Sequence, residues 1–329
     1  MNAGRLLFPF AILICHALSA IIFQTDFGFA GHIGDEQKME GLSKKEHNIG
    51  RILIALTAIL WGLAGVCVKS ITWSSFSLMA ARSLISLLML VAVKKTFKAK
   101  LSKTNILGAV AMSATGILYV EAIKLTTAGT AIVLQYIAPI LVFLYTVIFQ
   151  KRKAKLSEAV ITLAVFGGCV LSFADSLDPT RIAGNILGLL SGVTFAAQII
   201  IMNNENSDSD DCLYLSNIIS LVFCLPFMFF DKNLSFDKTN VIWVLVLGVF
   251  QYGLANILFS RGIKRVEKVE GSLLLTIEPI FNPIPVAVFC GEKMGKLAIF
   301  GFAVVVVFVT LYGLLPAIEE KLGKKKKQL

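Results

Sequence analysis

The chain has 329 residues, of which 56% are hydrophobic and only 16% charged, with a mean hydropathy of +0.79. Soluble domains carry about 25% charged residues, so this composition excludes an ordinary soluble enzyme or binding module and implies an all-α polytopic membrane protein. The formal net charge of +10 raises nucleic acid as a partner, but the basic residues lie in short clusters between apolar runs, so they read as topology signals and no nucleic acid is implied.

Residues 1–49 form an N-terminal extension. Arg5 precedes an apolar run from Leu6 to Phe23, and Ala17-Leu18-Ser19-Ala20 resembles a signal cleavage site. Cleavage there would leave Lys44, Lys45 and Arg51 outside, against the positive-inside tendency. The stretch therefore reads as an extra amphipathic or spanning helix, or as sequence upstream of a start at Met39. His16, His32 and His47 are read as preceding the first span, and the six cysteines are scattered without paired spacing. No metal and no cofactor are expected.

From Arg51 onward, ten apolar runs follow: 51–69, 73–93, 104–123, 127–149, 156–175, 181–202, 212–230, 240–261, 267–290 and 295–317. Each is long enough for a spanning helix, since a hydrocarbon core about 30 Å thick needs about 20 residues. Lys and Arg concentrate in alternate connections: Lys94 to Lys103, Lys151 to Lys155, Arg261 to Lys268, and the tail from Lys321. That asymmetry places both ends of the ten-span unit in the cytoplasm of a plasma-membrane protein. The exception is the acidic connection Asn203 to Asp211, read as a solvated linker because its Asp-x-Asp spacing lacks the glycine and distant Glu of a calcium loop. Gly62 and Gly65, Gly167 and Gly168, and Gly184 and Gly188 permit close helix contact; the last pair leaves a homodimer open.

The two halves repeat. A shift of 140 residues lays Tyr119–Phe149 over Phe259–Phe289, pairing Leu134 with Leu274, Ile137 with Ile277, Pro139 with Pro279 and Ile140 with Ile280. Five spans per half make the second half enter the membrane in the opposite sense, the inverted plan of many secondary transporters. Residues 50–202 contain the first repeat, and 203–211 is the linker. Residues 212–317 hold the remaining helices of a second repeat that begins at 181, and 318–329 is a basic tail. Pro139 and Pro279 are the paired helix interruptions.

Glu278 stands near the middle of the ninth run, where an ionisable side chain costs at least about 2.5 kcal/mol unless it faces a partner, a cavity or water. Gly271, Leu275, Glu278, Asn282 and Pro285 form one helical stripe, and Ala131, Gln135, Ala138 and Val142 form its counterpart. Thr115 with Tyr119 and Tyr252 with Asn256 are i,i+4 pairs that can line the same cavity, with Gln251 and Gln198 as neighbours. Trp61 offers an apolar wall, and Arg82, mid-way along the second span, offers a site for an anion or a buried partner for an acid. Glu121, near the outer end of its span, can snorkel to water. The substrate-binding candidates are thus Glu278, Asn282, Gln135, Tyr119, Tyr252, Asn256, Trp61 and Arg82, with Glu278 also the candidate for a coupling proton.

The run YVEAIKLTTAGTAIVLQYIAPILVFLYTVIF, its counterpart SLLLTIEPIFNPIPVAVFCGEK, and the earlier LTAILWGLAGVCVKS and LMAARSLISLLMLV resemble the EamA-type family of the drug/metabolite transporter superfamily over residues 50–317. The resemblance implies ten transmembrane helices in two inverted five-helix repeats, with both termini cytoplasmic. The expected function is secondary transport of a small organic metabolite, amino-acid-like or related, by alternating access. The partners are that small-molecule substrate and the lipid bilayer. The alternative is a membrane-embedded sensor or scaffold that keeps the fold without net transport. An enzyme is disfavoured: no span offers a Ser/His pair, a histidine cluster or two nearby acids, and Gly291 to Lys296 lacks the phosphate-loop spacing of an ATPase.

Overall fold

A computed structural model describes residues 43–153, 155–172, 174, 180–282, 296–297, 299–301 and 303–312. The run Leu6–Phe23, the start at Met39, Pro283, Pro285, Cys290 and the tail 318–329 lie outside the described residues. The regular elements are all helical among the described residues. They are α1 (Lys44–Trp61), α2 (Ala64–Ser70), α3 (Ser75–Lys94), α4 (Lys103–Leu125), α5 (Ala128–Gln135), α6 (Ala138–Ile148), α7 (Leu156–Ser172), α8 (Ile182–Asn203) and α9 (Ser209–Met228). Then come α10 (Lys238–Val246), a π-helical segment Leu247–Leu254, α11 (Ala255–Gly262), a short 3-10 turn, α12 (Lys268–Leu274) and α13 (Ile277–Phe281); Ile299–Tyr312 is a further apolar helix, α14. His47, read as preceding the first span, lies in the first turn of α1.

Among the described residues, seven helical stretches are long and apolar enough to cross a membrane, against the ten expected of the chain: Lys44–Ser70, Ser75–Lys94, Lys103–Leu125, Ala128–Ile148, Ile182–Asn203, Ser209–Met228 and Lys238–Arg265. The apolar stretches Leu156–Leu171 and Ile299–Tyr312 are shorter, and the ninth run is described only as far as Asn282.

Helix starts follow from local chemistry. Ser43 and Glu46 form a capping box on α1. Ser74, Ser102, Thr127, Asp208 and Asp237 each accept a first-turn N–H with their side chains, satisfying donors that have no intrahelical partner. At Asp237 that bonding, led by the Asn240 N–H, holds the carboxyl below its usual range.

Polar ties join the connections at the two ends of the bundle. At one end Asp211 accepts from Lys94 Nζ (2.5 Å) and the Lys100 N–H (2.9 Å), and Asp210 accepts from Ser260 Oγ (2.6 Å). Lys264 donates to the Asn204 and Ser207 carbonyls. Asp210 and Asp211 therefore hold side-chain ties to other helices, whereas the Asp208 carboxylate caps α9 and its N–H donates to Asn105 Oδ1, so the stretch read as a solvated linker ties loops together; α9 already begins at Ser209. Glu270 of α12 binds Arg51 Nε (2.5 Å) and His47 Nε2 (2.6 Å) at the same end, and Arg152 spans Glu158 and Glu267. At the opposite end Asn240 accepts from the Thr72 N–H (3.0 Å) and the Ser235 carbonyl accepts from Trp73 Nε1 (2.7 Å). Asp231 there accepts from the Ser74 N–H (2.8 Å) and Ser77 Oγ (2.5 Å). Partial burial raises the Asp231 carboxyl, but these bonds outweigh it and hold the group below its usual range.

Between the ends, α8 packs most extensively on α4, and α9 on α3 and α4. Lipid is as apolar as the side chains, so close packing through small residues, not exclusion from water, holds such helices together. Gly192 is the tightest case that bears on the broken helix: a Cβ there would lie 2.9 Å from both the Leu134 and the Gln135 carbonyl oxygens. Gly167, by contrast, faces nothing within 4 Å. Gly192→Ala is therefore expected to lower unfolding stability by about 1–3 kcal/mol through overpacking, whereas Gly167→Ala leaves it unchanged or slightly raised. Thermal unfolding of the two purified variants in one detergent checks the contrast.

Candidate functional site

Three spans are interrupted by non-helical turns, and the interruptions lie against one another. α1 stops at Gly62–Leu63, α5 at Tyr136–Ile137 and α12 at Leu275–Thr276. Pro139 occupies the second position of α6 and Pro279 the third of α13. A proline in a first turn removes an N–H that has no helical partner in any case. The prolines thus open new helices just after each break. The break in the first span carries no proline and was not anticipated. There α13 approaches closely: a Cβ on Gly62 would lie 3.1 Å from Phe281 Cβ, and one on Gly65 3.0 Å from the Asn282 side-chain oxygen.

Around these breaks lies a cavity of about 50 Å³, lined by Trp61, Arg82, Met112, Thr115, Gly116, Tyr119, Gln135, Phe195, Gln198, Gln251, Tyr252, Asn256 and Glu278. Seven of the eight substrate-binding candidates share it. The exception is Asn282, which is buried against Gly65 at the α1–α13 crossing. Gln198 and Gln251 also reach the cavity. Met112, Gly116 and Phe195 were not singled out. Met112, Thr115, Gly116 and Tyr119 do form one stripe at spacings of three, one and three on α4, a pattern that Thr115 and Tyr119 alone had already half revealed. On the π-helical segment the wider turn presents the adjacent residues Gln251 and Tyr252 to the same cavity.

The apolar wall is aromatic. The Trp61 ring meets Phe195 edge-on at 5.7 Å and lies 5.2 Å from Phe259. Arg82 is 2% exposed. Its guanidinium stacks 4.2 Å over the Tyr252 ring and donates at 3.3 Å to the Gly116 carbonyl. Among the described residues no carboxylate pairs with it, and its Nε is buried without a partner. The Tyr119 and Tyr252 hydroxyls and one amide atom each of Gln251 and Asn256 are likewise unpartnered. Buried polar atoms are rarely left so; five of them around one cavity mark a place for polar atoms of something else.

Glu278, 3% exposed, meets one partner. Its Oε2 lies 2.8 Å from the Tyr136 hydroxyl, which also lies 2.6 Å from the Leu275 carbonyl oxygen at the α12–α13 break. Tyr136 therefore ties the break in one half to the break in the other. Glu121 is buried, not snorkelling to the surface.

The EamA-like transporter family model matches the chain twice, over residues 48–174 and 182–314, and the chain belongs to that family. An uncharacterized transporter of Archaeoglobus fulgidus is 23% identical over 265 residues, covering 80% of this chain and 95% of the relative. The uncharacterized transporter YxxF of Bacillus subtilis is 21% identical over 270 residues, covering 78% and 87%. One crystal structure superposes with a TM-score of 0.69 at 17% identity, over 80% of this chain and 97% of that one; this likeness concerns the fold alone. Both matched segments contribute to the cavity: Trp61, Arg82, Tyr119 and Gln135 from the first, and Gln251, Tyr252, Asn256 and Glu278 from the second.

The two tyrosines separate structure from binding. Tyr136→Phe strands a buried carbonyl and a buried carboxyl and is expected to lower stability by about 1–3 kcal/mol. Tyr119→Phe removes a hydroxyl that has no protein partner, so its cost is expected within about 0.5 kcal/mol. Parallel unfolding curves check this.

Proposed function

We propose that the protein is a secondary transporter of a small organic metabolite across the plasma membrane, working by alternating access. In this reading ten spans form two inverted five-helix repeats, about 50–202 and 181–317, with both termini cytoplasmic. The observation that carries it is the cavity between broken helices, bordered by unpartnered polar atoms from both family segments. Alternating access draws support from the ties on either side of the cavity. Glu270 with Arg51 and His47 joins α12 to α1 at the Lys- and Arg-rich end, while Asp231 and Asn240 fasten the opposite end. Opening one set while the other holds would expose the cavity to one side at a time.

Glu278 supplies the coupling proton in this account. A tyrosine hydroxyl has one proton, yet Tyr136 lies within bonding distance of two acceptors, the Leu275 carbonyl and Glu278 Oε2. Both contacts are full two-centre hydrogen bonds when Glu278 is a carboxylic acid that donates to Tyr136, which donates onward to Leu275; an ionised Glu278 would leave one proton shared between two acceptors. Loss of that proton leaves two acceptors competing for one donor and removes the bond that caps the break. Tyr119 adjoins the carboxyl, Cys169 adjoins Tyr136, and Arg82, Thr115, Gln135, Gln198, Gln251, Tyr252 and Asn256 share the cavity with it.

The test is reconstitution into liposomes with solutes found by a metabolite screen of cells with and without the protein. A one-unit pH gradient carries about 1.4 kcal/mol per coupled proton, enough for tenfold accumulation. Wild type is expected to approach that accumulation and Glu278→Gln to lose it, retaining at most gradient-independent exchange. Equal accumulation by Glu278→Gln at every pH removes the coupling role, and binding without any translocation favours the sensor reading.

A further inference from the structure

We infer that the cavity takes a small monocarboxylate, bound by Arg82 and accompanied by the proton on Glu278. The inference rests on the cavity's being the solute site and names the class of solute. It begins from charge. The Arg82 guanidinium is charged throughout the ordinary pH range, and a buried charge without a counter-charge is strongly unfavourable. Tyr252 beneath it and the Gly116 carbonyl beside it supply only partial compensation. Glu278, the other ionisable carboxyl or base lining the cavity, is the proton carrier of the proposed cycle and counts as neutral here, donating to Tyr136. The empty cavity thus carries one uncompensated positive charge.

A solute with one negative charge neutralises the site. A dicarboxylate or a phosphate dianion leaves a buried negative charge, and an amino-acid zwitterion brings an ammonium that needs an ionised Glu278. The unpartnered donors agree with a carboxylate, whose two oxygens accept from several N–H and O–H groups together. Arg82 Nε, the Tyr252 hydroxyl and the Asn256 amide nitrogen are all buried and unpartnered. The cavity leaves about 50 Å³ for the centres of water-sized atoms, room for a small solute. Trp61 and Phe195 give its apolar part a wall.

Purified wild-type protein is titrated at one pH and ionic strength with propionate, propionamide, alanine and succinate, and the unfolding midpoint is read. Propionate is expected to raise the midpoint, with apparent affinity at least about tenfold above that for propionamide, a loss of about 1.4 kcal/mol with the charge. Alanine and succinate are expected to bind more weakly than propionate. Arg82→Gln should lose the propionate response. If Arg82→Gln fails to fold, the ligand series on the wild type still decides. Equal responses to propionate and propionamide, no response to propionate at millimolar concentration, or preference for alanine that Glu278→Gln abolishes each overturns the inference. Flux separates the two readings: a neutral solute carried by a protein that ignores propionate leaves transport standing and this class wrong. Propionate bound with no solute crossing does the reverse.

Discussion

A helix interrupted inside a bilayer leaves backbone carbonyls and N–H groups that water cannot reach, and each must find a partner in the protein. Here that constraint converges on the Tyr136 hydroxyl. It meets the Leu275 carbonyl left open between α12 and α13 and, in the same contact, the Glu278 carboxyl. Tyr136 itself stands at the break between α5 and α6. The ionisable group, the two breaks and the cavity wall are therefore one assembly. Gly62 and Gly65 extend it by admitting the end of α13 against the first span, and Gly192 does so by fitting beneath the Leu134 and Gln135 carbonyls.

The two family segments supply similar backbones but different charges. Arg82 comes from the first segment and Glu278 from the second. At the position paired with Glu278 stands Ala138, fully buried in the first turn of α6. A duplicated scaffold thus carries an unduplicated pair of ionisable groups. These face one cavity without forming an ion pair. Had they been in contact, they would neutralise each other and leave little for a solute. Their separation is what lets one group hold a proton and the other face an anion in the proposed cycle.

Much of this arrangement was legible in the sequence. Composition and run lengths define a polytopic helical protein, and the i,i+4 pairs Thr115–Tyr119 and Tyr252–Asn256 already point at one cavity, because polar side chains in apolar helices stand out against their background. Gln135, Arg82 and Glu278 were found in the same way. Met112 and Phe195 were not, since an apolar residue in an apolar helix looks the same whether it faces lipid, core or cavity. The break at Gly62–Leu63 has no proline to announce it. The π-helical turn at Leu247–Leu254 comes from packing that no local spacing encodes. Asn282 shows the opposite case: it shares the Glu278 stripe, but its side chain lies against Gly65 at the α1–α13 crossing. The acidic loop misled for a related reason, because Asp210 and Asp211 look solvent-bound until their distant partners Ser260 and Lys94 are in place.

In the proposed cycle Glu278 holds a proton beside the cavity and donates it in a hydrogen bond to Tyr136. Infrared difference spectra of the purified wild type against Glu278→Gln at neutral pH test this most directly. The account predicts a protonated-carboxyl carbonyl band in the wild type that is missing from Glu278→Gln and displaced in Tyr136→Phe. A difference confined to carboxylate bands would show an ionised Glu278 and contradict it.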